Sequence, residues 1–420
     1  MEEETKIPEV RPIEEIYEDI KKLVRSKGFI YVLCWMRLND MTYQPGEIHK
    51  LDTYNLLNNR EISLLLGFLV QNEIDFSVPD TQIEMDFLYK KSKLQMEELH
   101  KAVSVPIFFE KIKEIFESQN KKGRSYKPTE KLFNDAKMLV EPMFYVGDGV
   151  YDIQYLNLLP KRYKYDKRWL QKNKNFNIEN AKNIILKIKS IFLEKKPNPE
   201  KLMNKEDLAS IYKEMLDLFI IKKEDLSDEK DADSFFDNFS VTHGDNVNTE
   251  FSGIGGLNII NGKPIIKLDG ERYFILNLYL LFLAIYEAPH YWMFDEDESY
   301  RETLGKNRGD VFEEITFEYL LKVFGEKRTF RSVNIPLKKG ENKTEIDVLC
   351  VLGDKALCVQ VKSKKLTLDS RAGDDRKLKK DFKTAIQDAY NQGVKSRNGI
   401  LDSNSKFVDK NGQQNRFIKY

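Results

Sequence analysis

The sequence predicts an α+β protein of several domains: a mainly α-helical N-terminal region, a small β junction, and a C-terminal domain ordered αβββα. Three observations carry this prediction. Apolar residues recur at helical spacing from Pro12 to about Ile220, as in Ile13, Ile16, Tyr17, Ile20 and Leu23 or Ile184, Ile185, Ile188, Ile191 and Phe192, which marks amphipathic helices. Asn261-Gly262 and Asp269-Gly270 then punctuate short β-rich runs, as tight hairpin turns do. The last third alternates helical and strand patterns within one short stretch, Gly309 to Gln392.

At 420 residues the chain exceeds what one ordinary core sustains, so two or three domains are expected. Residues 1–222 read as a helical sensing or docking region, with turn chemistry at Gln44-Pro45-Gly46, Val78-Pro79-Asp80, Val146 to Gly149 and Lys196 to Pro199. Residues 223–240 read as an acidic linker, because Lys223 to Asp237 (KEDLSDEKDADSFFD) is densely charged and poor in β-branched residues. Residues 241–300 form the junction: the two turns, then a buried helix from Leu276 to Tyr286 that Ala288-Pro289 should end.

Residues 301–420 make the final domain. Gly309 to Phe324 carries Phe312, Ile315, Tyr319, Leu320 and Val323 on one helical face and stops at Gly325. Strands follow at Thr329 to Leu337, Glu345 to Leu352 and Ala356 to Lys362, separated by turns at Lys338 to Asn342 and at Gly353-Asp354. Lys377 to Gln392 is a second helix, and Lys406 to Tyr420 reads as a further hairpin on Asn411-Gly412.

Charge narrows the function. The chain balances 68 basic against 68 acidic residues, yet Arg301 to Tyr420 holds 26 Lys/Arg against 17 Asp/Glu, an excess of nine positive charges. A basic terminal domain suits a polyanion. The longest apolar run, Phe274 to Tyr286, is too short to span a bilayer. The acidic Met1-Glu2-Glu3-Glu4 start lacks the apolar run of a signal peptide, so no membrane partner and a cytoplasmic location are expected. Cys34, Cys350 and Cys358 form no CxxC pair, which argues against a zinc site or a disulfide scaffold.

The chemistry concentrates on two strands. Side chains alternate along a strand, so Glu345 and Asp347 share a face of one, and Gln360 and Lys362 share a face of the next. The tight Gly353-Asp354 turn makes the two strands antiparallel neighbours, so these polar faces can meet. Four polar groups at the ends of otherwise apolar strands are costly unless liganded, on the order of 2–7 kcal/mol for a neutral group. A divalent cation would supply the missing partner.

Glu345-Ile346-Asp347, a hairpin, then Gln360-Val361-Lys362 resembles the D…(D/E/Q)xK signature of PD-(D/E)XK nucleases. Gly309-Asp310-Val311-Phe312-Glu313 is similar to the G-x-x-F-E helix of the Mrr-like restriction-endonuclease branch. The resemblance covers about 110 residues and implies a restriction-endonuclease-like domain that hydrolyses DNA with Mg²⁺, or Mn²⁺ in its place. Asp347 and the Gln360 side-chain carbonyl would ligate the metal, with the Val361 main-chain carbonyl completing the protein's share. Lys362 would orient the attacking water and offset transition-state charge, and Glu313 would hold that water or a second metal. Gln360 departs from the commonest acidic residue, and Glu345 is the carboxylate placed to compensate.

The resemblance extends less firmly to Gln387 and Tyr390, which are similar to the glutamine–tyrosine motif of RecB-like relatives with one residue fewer between them. Lys364, Lys365, Arg371, Arg376, Lys379 and Lys380 follow the lysine of the signature and would meet backbone phosphates. A second basic stretch, Lys161 to Lys205, interleaves Tyr163, Tyr165 and Trp169 with cations, which would suit single strands or simple packing. Ser252-Gly253-Ile254-Gly255-Gly256 reads as a turn, because it lacks the strand, helix and lysine of a phosphate loop.

Proteins that join a large helical region to an Mrr-like nuclease are often bacterial anti-phage or restriction factors, which implies that the helical region senses a phage or host trigger. One site per chain would favour a homo-oligomer for double-strand cutting. Two other readings are a catalytically silent nucleic-acid-binding module and a helical protein-interaction scaffold.

Overall fold

A computed structural model describes residues 10–41, 57–122, 140, 150–195, 207–336, 344–371, 374–402 and 405–408. The described residues are α+β with two small sheets. The chain divides into two compact units, one drawn from Met1–Leu159, Lys167–Tyr291 and Arg371–Gly373, the other from Pro160–Asp166, Trp292–Ser370 and Asp374–Tyr420. The turns expected at Gln44 to Gly46, Val146 to Gly149, Lys196 to Pro199, Lys338 to Asn342 and Asn411-Gly412 lie outside the described residues. Among those residues, no helix is long and apolar enough to cross a membrane.

The first unit opens with α1 (Ile13–Val24), α2 (Phe29–Met41), α3 (Asn59–Leu69) and α4 (Gln82–Lys122). The apolar period of α1 buries Ile16, Ile20, Leu23 and Val24. A capping box starts α3: the Asn58 side chain accepts from the Arg60 and Glu61 amides, while Glu61 accepts from the Asn58 amide at 2.7 Å. Next come α5 (Asp152–Arg162), α6 (Lys167–Lys174), α7 (Ile178–Glu194), α8 (Leu208–Asp217), β1 (Ile220–Lys222), α9 (Ala232–Phe239), β2 (Ser240–Val241), β3 (Ile265–Lys267), β4 (Arg272–Phe274) and α10 (Leu278–Glu296), of which α5 from Pro160 and α10 from Trp292 are counted in the second unit. The sheet runs β1-β4-β3-β2, with β2 parallel to β3 and the other pairs antiparallel.

Several boundaries differ from those the sequence implies. Residues 223–240 are not a linker. They fold as a 3-10 turn at Lys223–Leu226 and helix α9, because Phe235, Phe236 and Phe239 are buried and Phe236 stacks on Tyr273 of β4 with ring centroids 3.7 Å apart. The helical region and the β junction are one body, since Ile16, Leu65, Val241, Phe251, Ile266 and Phe274 share a hydrophobic core. Asn261-Gly262 ends a 3-10 turn rather than a hairpin, and the Asn261 side chain accepts from Ser63 Oγ at 2.9 Å. Asp269-Gly270 does lie between antiparallel β3 and β4, with Asp269 Oδ1 accepting from the Glu271 and Arg272 amides. Helix α10 continues through Pro289 to Glu296. Buried Leu280, Leu281, Phe282, Ala284, Ile285 and Ala288 oppose the roughly 3 kcal/mol that a mid-helix proline costs. Gly253, at φ 144°, lies so close to Tyr17 that an added Cβ would sit 2.2 Å from its ring, so this glycine turn is packed shut.

The second unit contains α11 (Arg301–Phe324), β5 (Thr329–Ile335), β6 (Thr344–Leu352), β7 (Lys355–Val359), α12 (Leu368–Arg371), α13 (Asp375–Phe382) and α14 (Asp388–Leu401). Helix α11 begins at Arg301 rather than Gly309, after a turn capped by the Asp297 side chain, and ends at Gly325 with φ 81°. The sheet is antiparallel in the order β5-β6-β7, and the two-residue turn pairs Leu352 with Lys355. Val333, Ile335, Ile346, Leu349 and Phe407 form its core, and Val408 bridges to Asn334 on the outer side of β5. Strand β7 is the exposed edge, with Ala356 and Leu357 open to solvent, so only β6 is the buried strand expected of both. A π-helical turn, Lys383–Gln387, joins α13 to α14.

Of the Lys161 to Lys205 stretch, the described residues end at Lys195, and there some groups pack while Tyr165, Lys167, Arg168 and Lys172 are exposed. Tyr163 and Trp169 are buried, and Lys161 and Lys164 pair with Glu318 and Glu314 of α11. Buried Asp166 accepts from Tyr300 OH at 2.8 Å and Asn307 Nδ2 at 2.7 Å, which pins Pro160–Asp166 to the second unit.

Candidate active site

Alternation along β6 places Glu345 and Asp347 on one face, as the sequence requires. The backbone ladder between β6 and β7 stops at Val359 instead of reaching Lys362, and side chains take over. Asp347 Oδ2 accepts from the Val361 amide at 2.7 Å, and Gln360 Nε2 donates to the Glu345 carbonyl at 2.7 Å. These two bonds hold Gln360 to Lys362 beside Asp347 after the strand has ended. They also explain the shortened strand, because the ladder's donor and acceptor are already engaged.

Gln360 has a second, weaker contact to Ser396 Oγ at 3.5 Å, and its Oε1 is buried with no hydrogen-bond partner. An orphaned acceptor of this kind costs about 1–3 kcal/mol. The Asp347 carboxyl is half-buried, and burial raises its pKa against the opposing effects of the Val361 amide and Lys362. Glu313 comes to the same place from α11. Burial pushes its carboxyl up to about 6, reinforced by Asp347, Glu345 and Asp310 and opposed by Arg331. Glu345 reaches this group through charge, and its own side chain is exposed.

Arg331 and Ser332 belong to the site although nothing in the sequence marks them. Arg331 Nη2 donates to the Asp310 carbonyl at 3.1 Å, and Nη1 lies 3.9 Å from Glu314, so the guanidinium is held where it acts on Glu313. Ser332 has φ 51° within β5, between residues paired to Val348 and Ile346 and therefore opposite Asp347. Left-handed backbone at a non-glycine residue is strained by on the order of 1–3 kcal/mol, and such strain clusters at functional sites.

The basic residues expected at phosphates divide. Lys364 is engaged in the fold: it pairs at 3.0 Å with Asp381, which is 3% exposed and also accepts from the Thr367 amide, Thr367 Oγ1 and Ser370 Oγ. This pair tethers the segment after β7 to α13. Arg376, Lys379 and Lys380 are exposed on α13 and Lys365 is half-buried, whereas the Arg371 side chain lies outside the described residues. Gln387 and Tyr390 do not join the site: Gln387 Nε2 donates to Asn391 along its own helix, and Tyr390 faces solvent.

Although buried, the Asp381 carboxyl is held well below the usual range by the Thr367 amide, Ser370 and Lys364. Its stabilising contribution is thus present above the ordinary carboxylate pKa and lost as pH falls through the depressed value. Asp381→Asn is expected to destabilise the chain by roughly 1–3 kcal/mol at neutral pH, read from the midpoint of urea unfolding. The difference from wild type should shrink in strong acid, and a neutral-pH midpoint equal to wild type would contradict this account.

Among the described residues, no three His, Cys, Asp or Glu side chains form a ready metal-binding group. The oxygens that could hold a cation are the Asp347 carboxylate and the unpartnered Gln360 Oε1, with Glu313 nearby. One carboxylate, one amide oxygen and a shell of water suit Mg²⁺, which dehydrates reluctantly and takes few protein ligands. No family model, curated protein or solved structure matches the chain.

Proposed function

We propose that the second unit is a metal-dependent nuclease of the PD-(D/E)XK type that hydrolyses DNA phosphodiester bonds. The observation that carries this reading is the buried, unpartnered Oε1 of Gln360, the residue next to Val361, whose amide donates to an Asp347 carboxylate of raised pKa, with Glu313 converging from α11. Carboxylates whose pKa stays raised although Lys362 and Arg331 act on them carry a local excess of negative charge that one divalent ion would relieve. When bound, such an ion neutralises charge developing on the phosphate and lowers the pKa of water. Asp347 and Gln360 would hold it. Lys362, exposed and close enough to Asp347 to lower its pKa, would orient the attacking water and offset negative charge in the transition state. Glu313, once ionised, would accept a hydrogen bond from that water, and the charge of Arg331 favours the ionised form.

Incubating the full chain with supercoiled plasmid and Mg²⁺ or Mn²⁺ should give nicked or linear DNA, and EDTA should stop the reaction. A contaminant-free preparation that leaves the plasmid supercoiled at every metal concentration would refute the proposal. A second reading, a silent nucleic-acid-binding module, draws on glutamine in an acidic position and the absence of a three-acid group among the described residues. It predicts salt-dependent DNA binding without cutting. The role of the first unit as a sensor of a phage or host trigger, and a place in anti-phage or restriction defence, rest on family resemblance alone.

A further inference from the structure

We infer that the exposed stripe Phe382, Ile386 and Tyr390 on α13, the π turn and α14 is a stacking platform for unpaired bases, so that the substrate includes single-stranded or frayed DNA. The inference takes only its choice of ligand, nucleic acid, from the nuclease reading.

Phe382 is 54% exposed, Ile386 55% and Tyr390 65%, although large apolar groups on a basic helix would ordinarily turn inward. Their alignment depends on the π turn. Residues four apart drift by about 40° per step around an α-helix of 3.6 residues per turn. In the Lys383–Gln387 turn the Asp388 amide bonds the Lys383 carbonyl, five residues back. That wider turn absorbs the extra residue and brings Phe382, Ile386 and Tyr390 closer to one line. Eight residues at about 1.5 Å each give a stripe of roughly 12 Å, room for about two or three bases.

Charge selects the occupant. Residues 375–401 hold seven Lys/Arg against three Asp. One of those acids, Asp381, is turned inward and paired with Lys364, while Lys379 and Lys383, three residues before Phe382 and Ile386, are exposed one turn from the stripe. Lysine is depleted at the cores of protein–protein interfaces, whereas aromatic faces walled by cations fit a strand that offers π faces and phosphates together.

The test is fluorescence anisotropy of the full chain with a fluorescein-labelled mixed-sequence single strand and its blunt duplex, in EDTA at fixed salt. Phe382→Ala/Tyr390→Ala should weaken single-strand binding roughly five- to hundredfold while changing duplex binding little, and Phe382→Trp/Tyr390→Trp should retain it. Because the stripe is exposed, the substitutions leave the core untouched, and thermal unfolding verifies this. Unchanged single-strand affinity, equal loss on both DNAs, or no DNA binding by wild type would overturn the inference. So would a wild-type dimer that the alanine pair converts to monomer in sedimentation velocity, since the occupant would then be a second copy. Plasmid cleavage in the same preparations separates the two readings. Stacking without cleavage refutes the nuclease alone, and cleavage with an unaltered single-strand affinity refutes the platform alone.

Discussion

Asp347→Ala and Lys362→Ala are each expected to lower Mg²⁺-dependent plasmid cleavage by roughly a hundred- to thousandfold, since the first removes the anionic oxygen that would hold the metal and the second a cation aimed at charge in the transition state. The two losses should differ in kind. Lys362 is exposed, so its removal should leave the unfolding midpoint near that of wild type. Asp347 accepts the Val361 amide as well, and its removal frees the segment that carries Gln360 and Lys362. Asp347→Asn retains an acceptor for that amide but not the anionic oxygen, so it should restore the fold without restoring cleavage. Cleavage by Asp347→Asn at the wild-type rate would show that the carboxylate is not part of the chemistry.

The second large effect is on stability. Burial, joined by Asp347, pushes the Glu313 carboxyl from an ordinary 4.5 up to about 6. A group whose folded pKa is raised contributes stability fully below its unfolded value and loses it as pH rises through the folded value. Near neutral pH, ionised Glu313 therefore weakens the metal-free protein. Glu313→Gln is expected to stabilise that state by about 1 kcal/mol, allowing for solvent screening of a half-buried group. Added Mg²⁺ should raise the thermal midpoint of wild type, by the equivalent of about 2.7 kcal/mol at a hundredfold excess over Kd, and raise that of Glu313→Gln less. Differential scanning calorimetry in EDTA and in Mg²⁺ reads both quantities. If the glutamine variant is less stable than wild type in EDTA, the electrostatic account of this site is wrong.

The β6–β7 hairpin shows how much a sequence can carry. A two-residue turn at Gly353-Asp354 fixes the pairing of Leu352 with Lys355, and counting back along both strands sets Asp347 opposite Gln360. Alternation and one turn suffice because both are local. The end of the strand was not readable in the same way, because the Asp347 carboxylate and the Gln360 amide replace the ladder after Val359. The acidic stretch before Phe235 misled for a similar reason. Local charge density said linker, but Phe235, Phe236 and Phe239 fold the chain against distant residues such as Tyr273.

What the sequence by itself determined is the order of helices and strands in the last third, the register of its hairpin, and the four polar residues that hairpin gathers. These follow from side-chain period and turn geometry, which act over a few residues. Tertiary structure alone decided which charges remain available. It drew Glu313 and Arg331 to Asp347, left Gln360 Oε1 without a partner, used Lys364 to neutralise buried Asp381, and turned Phe382, Ile386 and Tyr390 outward. A side chain's pKa, pairing and exposure depend on what the folded chain brings within a few ångströms of it, and residues far apart in sequence supply most of those neighbours.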